Sequence, residues 1–227
     1  MAGVTKQFIL WDHDGVLVDT ERWYFAALRE AMAPLGVDFD QATYLHYMAD
    51  GRMYWELALA RGATMSDVER QRTVRNHLYQ QYLLREPIEI PGVKEVLEEL
   101  STEYRMAVVT TSRREDFELI HRSRDLLARM EFVLTIENYA QAKPHPAPYL
   151  AALARFGADP ADAVAIEDSA RGLKSALAAG VDCIVIRHPF TAAQDFSGAW
   201  RIVDSIRNVP AALAALAQVP ASATDRQ

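Results

Sequence analysis

The chain has 227 residues, half of them hydrophobic, with 31 acidic against 24 basic side chains and a formal net charge of -7. That length and apolar content bury a substantial core and exclude a disordered chain, the negative balance excludes nucleic acid as a direct partner, and no run reaches the roughly 18 apolar residues of a membrane helix. One cysteine, Cys183, excludes an intramolecular disulfide and suits a reducing compartment, and MAGVTKQ lacks the apolar run of a signal peptide, so a soluble cytoplasmic protein is expected.

In chain order, the apolar run Phe8 to Trp11 predicts a buried strand, followed at once by Asp12-His13-Asp14-Gly15. From Glu21 to Glu89 there is helical periodicity only, in ERWYFAALREAMAPLG, TYLHYMADGRMYWELALARG and SDVERQRTVRNHLYQQYLL. A crossover between strands needs about a dozen residues, so this stretch predicts a helical cap inserted after the first strand, left through the hinge-like REPIEIPG. Beyond it come a helix from Val93 with Val96, Leu97 and Leu100 on one face, a strand at Met106 to Val109 and a strand at Phe132 to Leu134. A helix from about Pro148 to Phe156, a strand at Val164 to Ile166, a helix from Ala170 to Ala179 stopped by Gly180, and a strand at Cys183 to Ile186 complete the series. Strands alternating with helices predict an α/β fold, a Rossmann-like parallel sheet with right-handed crossovers. The expected division is a catalytic core of residues 1–18 and 90–215, a helical cap of residues 19–89, and a short disordered tail of residues 216–227.

In open α/β sheets reactive groups gather beyond the carboxyl ends of the strands. There the sequence places Asp12 and Asp14 after the first strand, Thr110-Thr111-Ser112 after the second, and Glu167-Asp168-Ser169 after the fourth, with Lys143 opening KPHP between the third strand and the next helix. Taken singly, Asp14 before Gly15 is also a turn cap and Glu167-Asp168 also a helix N-cap. A calcium loop is excluded, because its pattern wants an acid or amide where Val16 stands and a glycine where Leu17 stands. The joint order and strand-end placement of the four groups single them out.

These segments, DHDGVLVDTE, VVTTS, KPHPAPYL and IEDSARGLKSALAAG, resemble the haloacid dehalogenase superfamily over about Phe8 to Ile186. The likeness is to its branch with a helical cap after the first strand, which holds phosphoglycolate and sugar-phosphate phosphatases and β-phosphoglucomutase. The resemblance implies an Mg²⁺ cofactor and a small phosphorylated metabolite as substrate, with Asp12 as nucleophile and Asp14 as general acid and base. It also implies that Thr110, Thr111 and Lys143 hold the phosphate, and that Asp12, the main-chain carbonyl of Asp14, Asp168 and Glu167 serve the metal. Electrostatics agree: a phosphate within about 4 Å of a carboxylate meets a repulsion of about 4 kcal/mol per charge pair at an effective dielectric near 20, so attack needs a cation beside it.

Within the superfamily, a dehalogenase needs no acid at Asp14, because a halide leaves without a proton. A phosphonoacetaldehyde hydrolase needs a cap lysine, and the only lysines are Lys6, Lys94, Lys143 and Lys174. The mutase carries a histidine where this chain has Tyr24, and it stands as the alternative to a phosphatase; a non-catalytic phosphate-binding relative is the third reading. Candidate cap specificity residues are Arg22, Tyr24, His46, Arg52 and Tyr54, with Arg52 beside a break at Gly51. Trp23, Phe25, Met53 and Trp55 are expected in the cap core. His13 is read as a structural residue or a substrate contact, and His77, His121 and His188 show no metal-ligand spacing. The sequence does not choose between monomer and homodimer.

Overall fold

A computed structural model describes residues 6–216. Its strands are β1 (Phe8–Trp11), β2 (Arg105–Val109), β3 (Phe132–Leu134), β4 (Ala163–Glu167), β5 (Asp182–Ile186) and β6 (Arg201–Val203). All pair parallel in the order β3-β2-β1-β4-β5-β6, with Leu10 opposite Ala107 on one side and Ala165 on the other. The strands read as continuous apolar runs because both faces of the sheet are covered. Ile9, Trp11, Met106, Val108, Val164 and Ile166 pack under α5 (Val93–Leu100) and α9 (Val209–Leu216), while Leu10, Ala107, Val109, Ala165 and Cys183 face α7 (Ala147–Phe156) and α8 (Ala170–Ala178). Each fully buried Leu or Ile here contributes about 1.5–3 kcal/mol.

Between β1 and α5 stand α1 (Glu21–Met32), α2 (Gln41–Ala49), α3 (Glu56–Leu59) and α4 (Met65–Arg85). They hold a cluster of their own built on Leu28, Met32, Tyr44, Met48, Trp55 and Val68. Asp40 accepts from the Thr43 N–H to cap α2, and Thr64 with Asp67 forms a capping box that starts α4. The second cap segment is two helices, divided at Gly51, whose φ of 66° suits a residue without Cβ. The cap is attached by a short ribbon: Val18 bridges to Glu89 antiparallel, and the Asp19 N–H donates to the Ile88 carbonyl at 2.8 Å. The remaining helix, α6 (Arg114–His121), follows β2 and meets the cap where the Gln80 amide donates to Asp116.

Some details depart from the sequence expectations. β6 has no counterpart among them, since only Val203 of its three residues is buried and so short an edge strand leaves little apolar signal. Leu216, assigned to the disordered tail, is buried as the last described residue of α9, because its helix face packs on the sheet; residues 217–227 lie outside the described part. Met53, expected in the cap core, is 54% exposed, because it lies in the α2–α3 turn rather than on a helix face. No helix among the described residues is long and apolar enough to cross a membrane.

Candidate active site

The central strand β1 ends at the floor of the site. Asp12 follows it directly, Thr110 follows β2, and Glu167 closes β4, so that parallel register alone brings these side chains to one edge. Lys143 reaches in from the loop after β3. Its Nζ donates to Asp12 Oδ1 at 2.6 Å, to Glu167 Oε1 at 2.7 Å and to the Val109 carbonyl at 2.8 Å. Tyr149 donates to the same Glu167 oxygen at 2.6 Å. Carboxylate oxygens of Asp12, Glu167 and Asp168 lie within 4.8 Å of one another, all three residues buried.

Two glycines permit this crowding. A Cβ on Gly15, which has φ of 85°, would sit 2.1 Å from Asp168 Oδ2, and one on Gly172 would sit 2.0 Å from Glu167 Oε2. The first glycine lets the β1 loop close over Asp168, and the second lets α8 start against Glu167. Ser169 caps that helix by accepting from the Gly172 N–H, and Thr191 ties the Asp168 carbonyl down at 2.7 Å.

The two aspartates of the first loop have opposite surroundings. Burial pushes the Asp12 carboxyl up to about 7, the charge of Glu167 adds to this, and Lys143 only partly offsets it. Burial acts on Asp14 in the same sense but is outweighed by its partners His13, Ser112 and Thr20, leaving it well below the usual range. Its Oδ2 also accepts from Thr110 at 3.2 Å. Asp168 is pushed well above the ordinary carboxylate value, by burial first and then by Asp12 and Glu167. Three buried hard-oxygen donors, two of them resisting ionisation, and a single lysine make a cluster that suits a divalent cation such as Mg²⁺.

A cavity of about 310 Å³ opens from Asp14 toward the cap, lined among others by Glu21, Tyr44, Tyr54, Arg75 and Arg171. Burial raises the Glu21 carboxyl against the pull of Arg171, and Tyr44 donates to it. Neither Arg75 nor Arg171 forms an ion pair among the described residues: Arg75 contacts the Tyr24 hydroxyl and Asn76, and Arg171 donates to Thr111 Oγ1 at 3.3 Å, its Nε being buried without a partner.

Residues 9–186 match the sequence profile of the haloacid dehalogenase-like hydrolases. The chain belongs to that family. This haloacid dehalogenase-like hydrolase is 30% identical to the protein CbbY of Cereibacter sphaeroides over 87% of its own length and 91% of the relative's. It is 31% identical to hexitol phosphatase B of Escherichia coli K12 over 79% and 83%. A crystal structure of CbbY from Rhodobacter sphaeroides in complex with xylulose-(1,5)bisphosphate superposes with a TM-score of 0.75 at 27% identity, covering 89% of this chain and 95% of that one.

Of the residues picked out from sequence, the structure of the hydrolase brings together Asp12, Asp14, Thr110, Lys143, Glu167 and Asp168, with Thr111, Tyr24 and Tyr54 on the cavity wall. It places Arg22, Arg52 and His46 elsewhere. Arg22 is exposed and pairs with Asp19, Arg52 pairs with Glu56 at 2.9 Å over the Tyr47 ring, and His46 is exposed beside Asp50. Sequence reading missed Glu21, Tyr44, Arg75 and Arg171 as site residues, while Ser112, read with Thr110 and Thr111 at the second strand end, does reach Asp14. Glu21 and Arg171 each stand within two residues of a strand-end motif, Thr20 and Ser169, and a charge at the first turn of a helix that begins there was the available signal.

Proposed function

We propose that the chain is an Mg²⁺-dependent phosphatase acting on small hydroxylated phosphates through a phosphoaspartate on Asp12. The observation that carries the reading is the placing of Asp12 against Lys143 and the carboxylate cluster, with Asp14 two residues on in the same loop. An Asp12 oxygen attacks phosphorus, the bond to the leaving oxygen breaks, and Asp14, ionised in the free chain and protonated as the phosphate dianion binds beside it, donates that proton to the departing alkoxide. Asp14 then takes a proton from water, the water oxygen attacks phosphorus, and the bond to Asp12 breaks to release inorganic phosphate. Thr110 and Lys143 hold the transferring oxygens. Asp12, Asp168 and the main-chain carbonyl of Asp14, with Glu167 in support, would hold Mg²⁺, which would supply the positive charge that offsets substrate and carboxylate together.

The cavity supports a substrate class. Glu21 and Tyr54 suit hydroxyl groups, while Arg75 and Arg171, without an ion pair among the described residues, suit a second anionic group at the far end of a sugar phosphate. No histidine lines that wall, and Tyr24 at the mutase position is engaged by Arg75, so nothing here favours phosphoglucomutase chemistry. The test is turnover of p-nitrophenyl phosphate and of a panel of sugar mono- and bisphosphates, with and without Mg²⁺. Phosphate release that needs both Mg²⁺ and Asp12 supports the reading; release unaffected by chelator or by Asp12→Asn would sink it.

A further inference from the structure

His13 is wholly buried between the two aspartates, its ring centroid 4.7 Å from that of Phe117 and 5.1 Å from that of His121. Its Nδ1 lies 3.3 Å from Asp14 Oδ2, and its Nε2 lies 2.9 Å from Nε2 of His121, the last residue of α6. That same Asp14 oxygen accepts from the Thr110 and Ser112 hydroxyls, so it faces His13 as an acceptor and His13 Nδ1 carries a hydrogen. One further proton must lie between the two Nε2 atoms, and it belongs to one ring or the other.

If it belonged to His13, that ring would be an imidazolium and His121 would carry its own hydrogen on Nδ1. His121 Nδ1 is buried and has no hydrogen-bond partner among the described residues. That arrangement would bury an N–H with nothing to receive it, whereas the reverse leaves only an unused lone pair, the milder fault. Burial also holds His121 neutral, down to about 3. The order of donation therefore runs from His121 to His13 to Asp14.

We propose that His121 is a positioning residue for Asp14: its Nε2–H anchors the His13 ring as the Nδ1–H tautomer, and His13 in turn fixes the Asp14 carboxylate beside Thr110 and Ser112. The proposal rests on the reading of Asp14 as the proton-transfer group, and the role passes through hydrogen bonds each of which polarises the next. It gives His13, which touches both Asp14 and His121, a reason to be an imidazole rather than an apolar side chain.

Long-range ¹⁵N–¹H NMR on the unaltered, histidine-labelled protein reads the tautomers directly. The expected result is a neutral His13 protonated on Nδ1 and a neutral His121 protonated on Nε2; a doubly protonated His13, or either ring as the other tautomer, overturns the proposal. His121→Phe keeps a ring against Phe117, 4.5 Å away, but removes the donor. It should shift the His13 Nδ1–H resonance and lower kcat on p-nitrophenyl phosphate about tenfold at unchanged KM, part of the roughly 10²–10⁴-fold a general acid–base group contributes. His121→Gln, which restores an N–H donor, should recover most of that loss. Equal losses in the two variants, or none in either, overturn the proposal. An inactive wild type with the expected tautomers would instead overturn the reading of the reaction and leave the hydrogen-bond order standing.

Discussion

The floor of the site, at the strand ends, and its wall, along the helices, are organised in opposite ways. On the floor Lys143 is shared by Asp12 and Glu167 at 2.6 and 2.7 Å, and Tyr149 and Thr191 brace the carboxylate residues from behind. On the wall Arg75 and Arg171 face a cavity of about 310 Å³ and, among the described residues, form no ion pair, although Arg171 feels the charge of Glu21 across it. The floor is pre-organised for one kind of bond, and its donors and acceptors are already matched to each other. The wall keeps its donors open for a group that arrives with the substrate.

The difference can be broken most severely on the floor. Asp12→Asn should lower kcat by about 10⁴- to 10⁶-fold, read as phosphate release, because the nucleophile acts as a unit with its neighbours. Residual activity within tenfold of wild type would remove Asp12 from the chemistry.

Metal removal comes next. Chelation should stop turnover and Mg²⁺ restore it. With the Asp12 carboxyl held at about 7 against an ordinary 3.8, the metal-free folded chain binds more protons than the unfolded chain between these values. The stability contributed by this group therefore falls as pH rises through that window. Thermal melts should show Mg²⁺ raising Tm more at pH 8 than at pH 5, and equal shifts would count against a metal on these carboxylates.

On the wall, Arg171→Gln should cost about 1.5–3 kcal/mol in kcat/KM, roughly 10- to 150-fold, on a phosphate with a second anionic group, the usual worth of a hydrogen bond to a charged group. p-Nitrophenyl phosphate should be turned over nearly unchanged. Arg52→Ala serves as control, with stability and rate within about 0.5 kcal/mol of wild type, since its pair with Glu56 is exposed. A loss equal on both substrates would move Arg171 from wall to floor. The smallest effect is structural: Gly172→Ala, forcing a Cβ against Glu167, should destabilise by about 1–3 kcal/mol in urea melts.

The same division decides what the sequence revealed. Strand ends are read in order, and parallel register carries Asp12, Thr110 and Glu167 to one edge, so the chemistry of the floor is local in sequence once the strands are found. The other five strands were found because each is a wholly apolar run or contains one, whereas β6 has Arg201 at its start and two exposed residues of three. The wall is different in kind. Arg75 lies in the middle of α4 and Tyr44 in the middle of α2, on helices whose rotation about their axes is set by packing against Leu28, Met48 and Trp55. No short-range pattern distinguishes Arg75, which lines the cavity, from Arg52, which does not. His121 was invisible for a similar reason: its meaning depends on His13, 108 residues away in the chain.

The ribbon joining Val18 to Glu89 and Asp19 to Ile88 has a mechanical consequence. The segment that carries the ribbon also contains Asp14, which bridges to Val18, and a second tie joins the cap to α6 through Gln80 and Asp116. A swing about the ribbon would break that tie and carry Tyr54 and Arg75 through an arc with Asp14 near the pivot. Such an arm would act as a caliper, taking the length of the molecule between its jaws without disturbing the group at its joint.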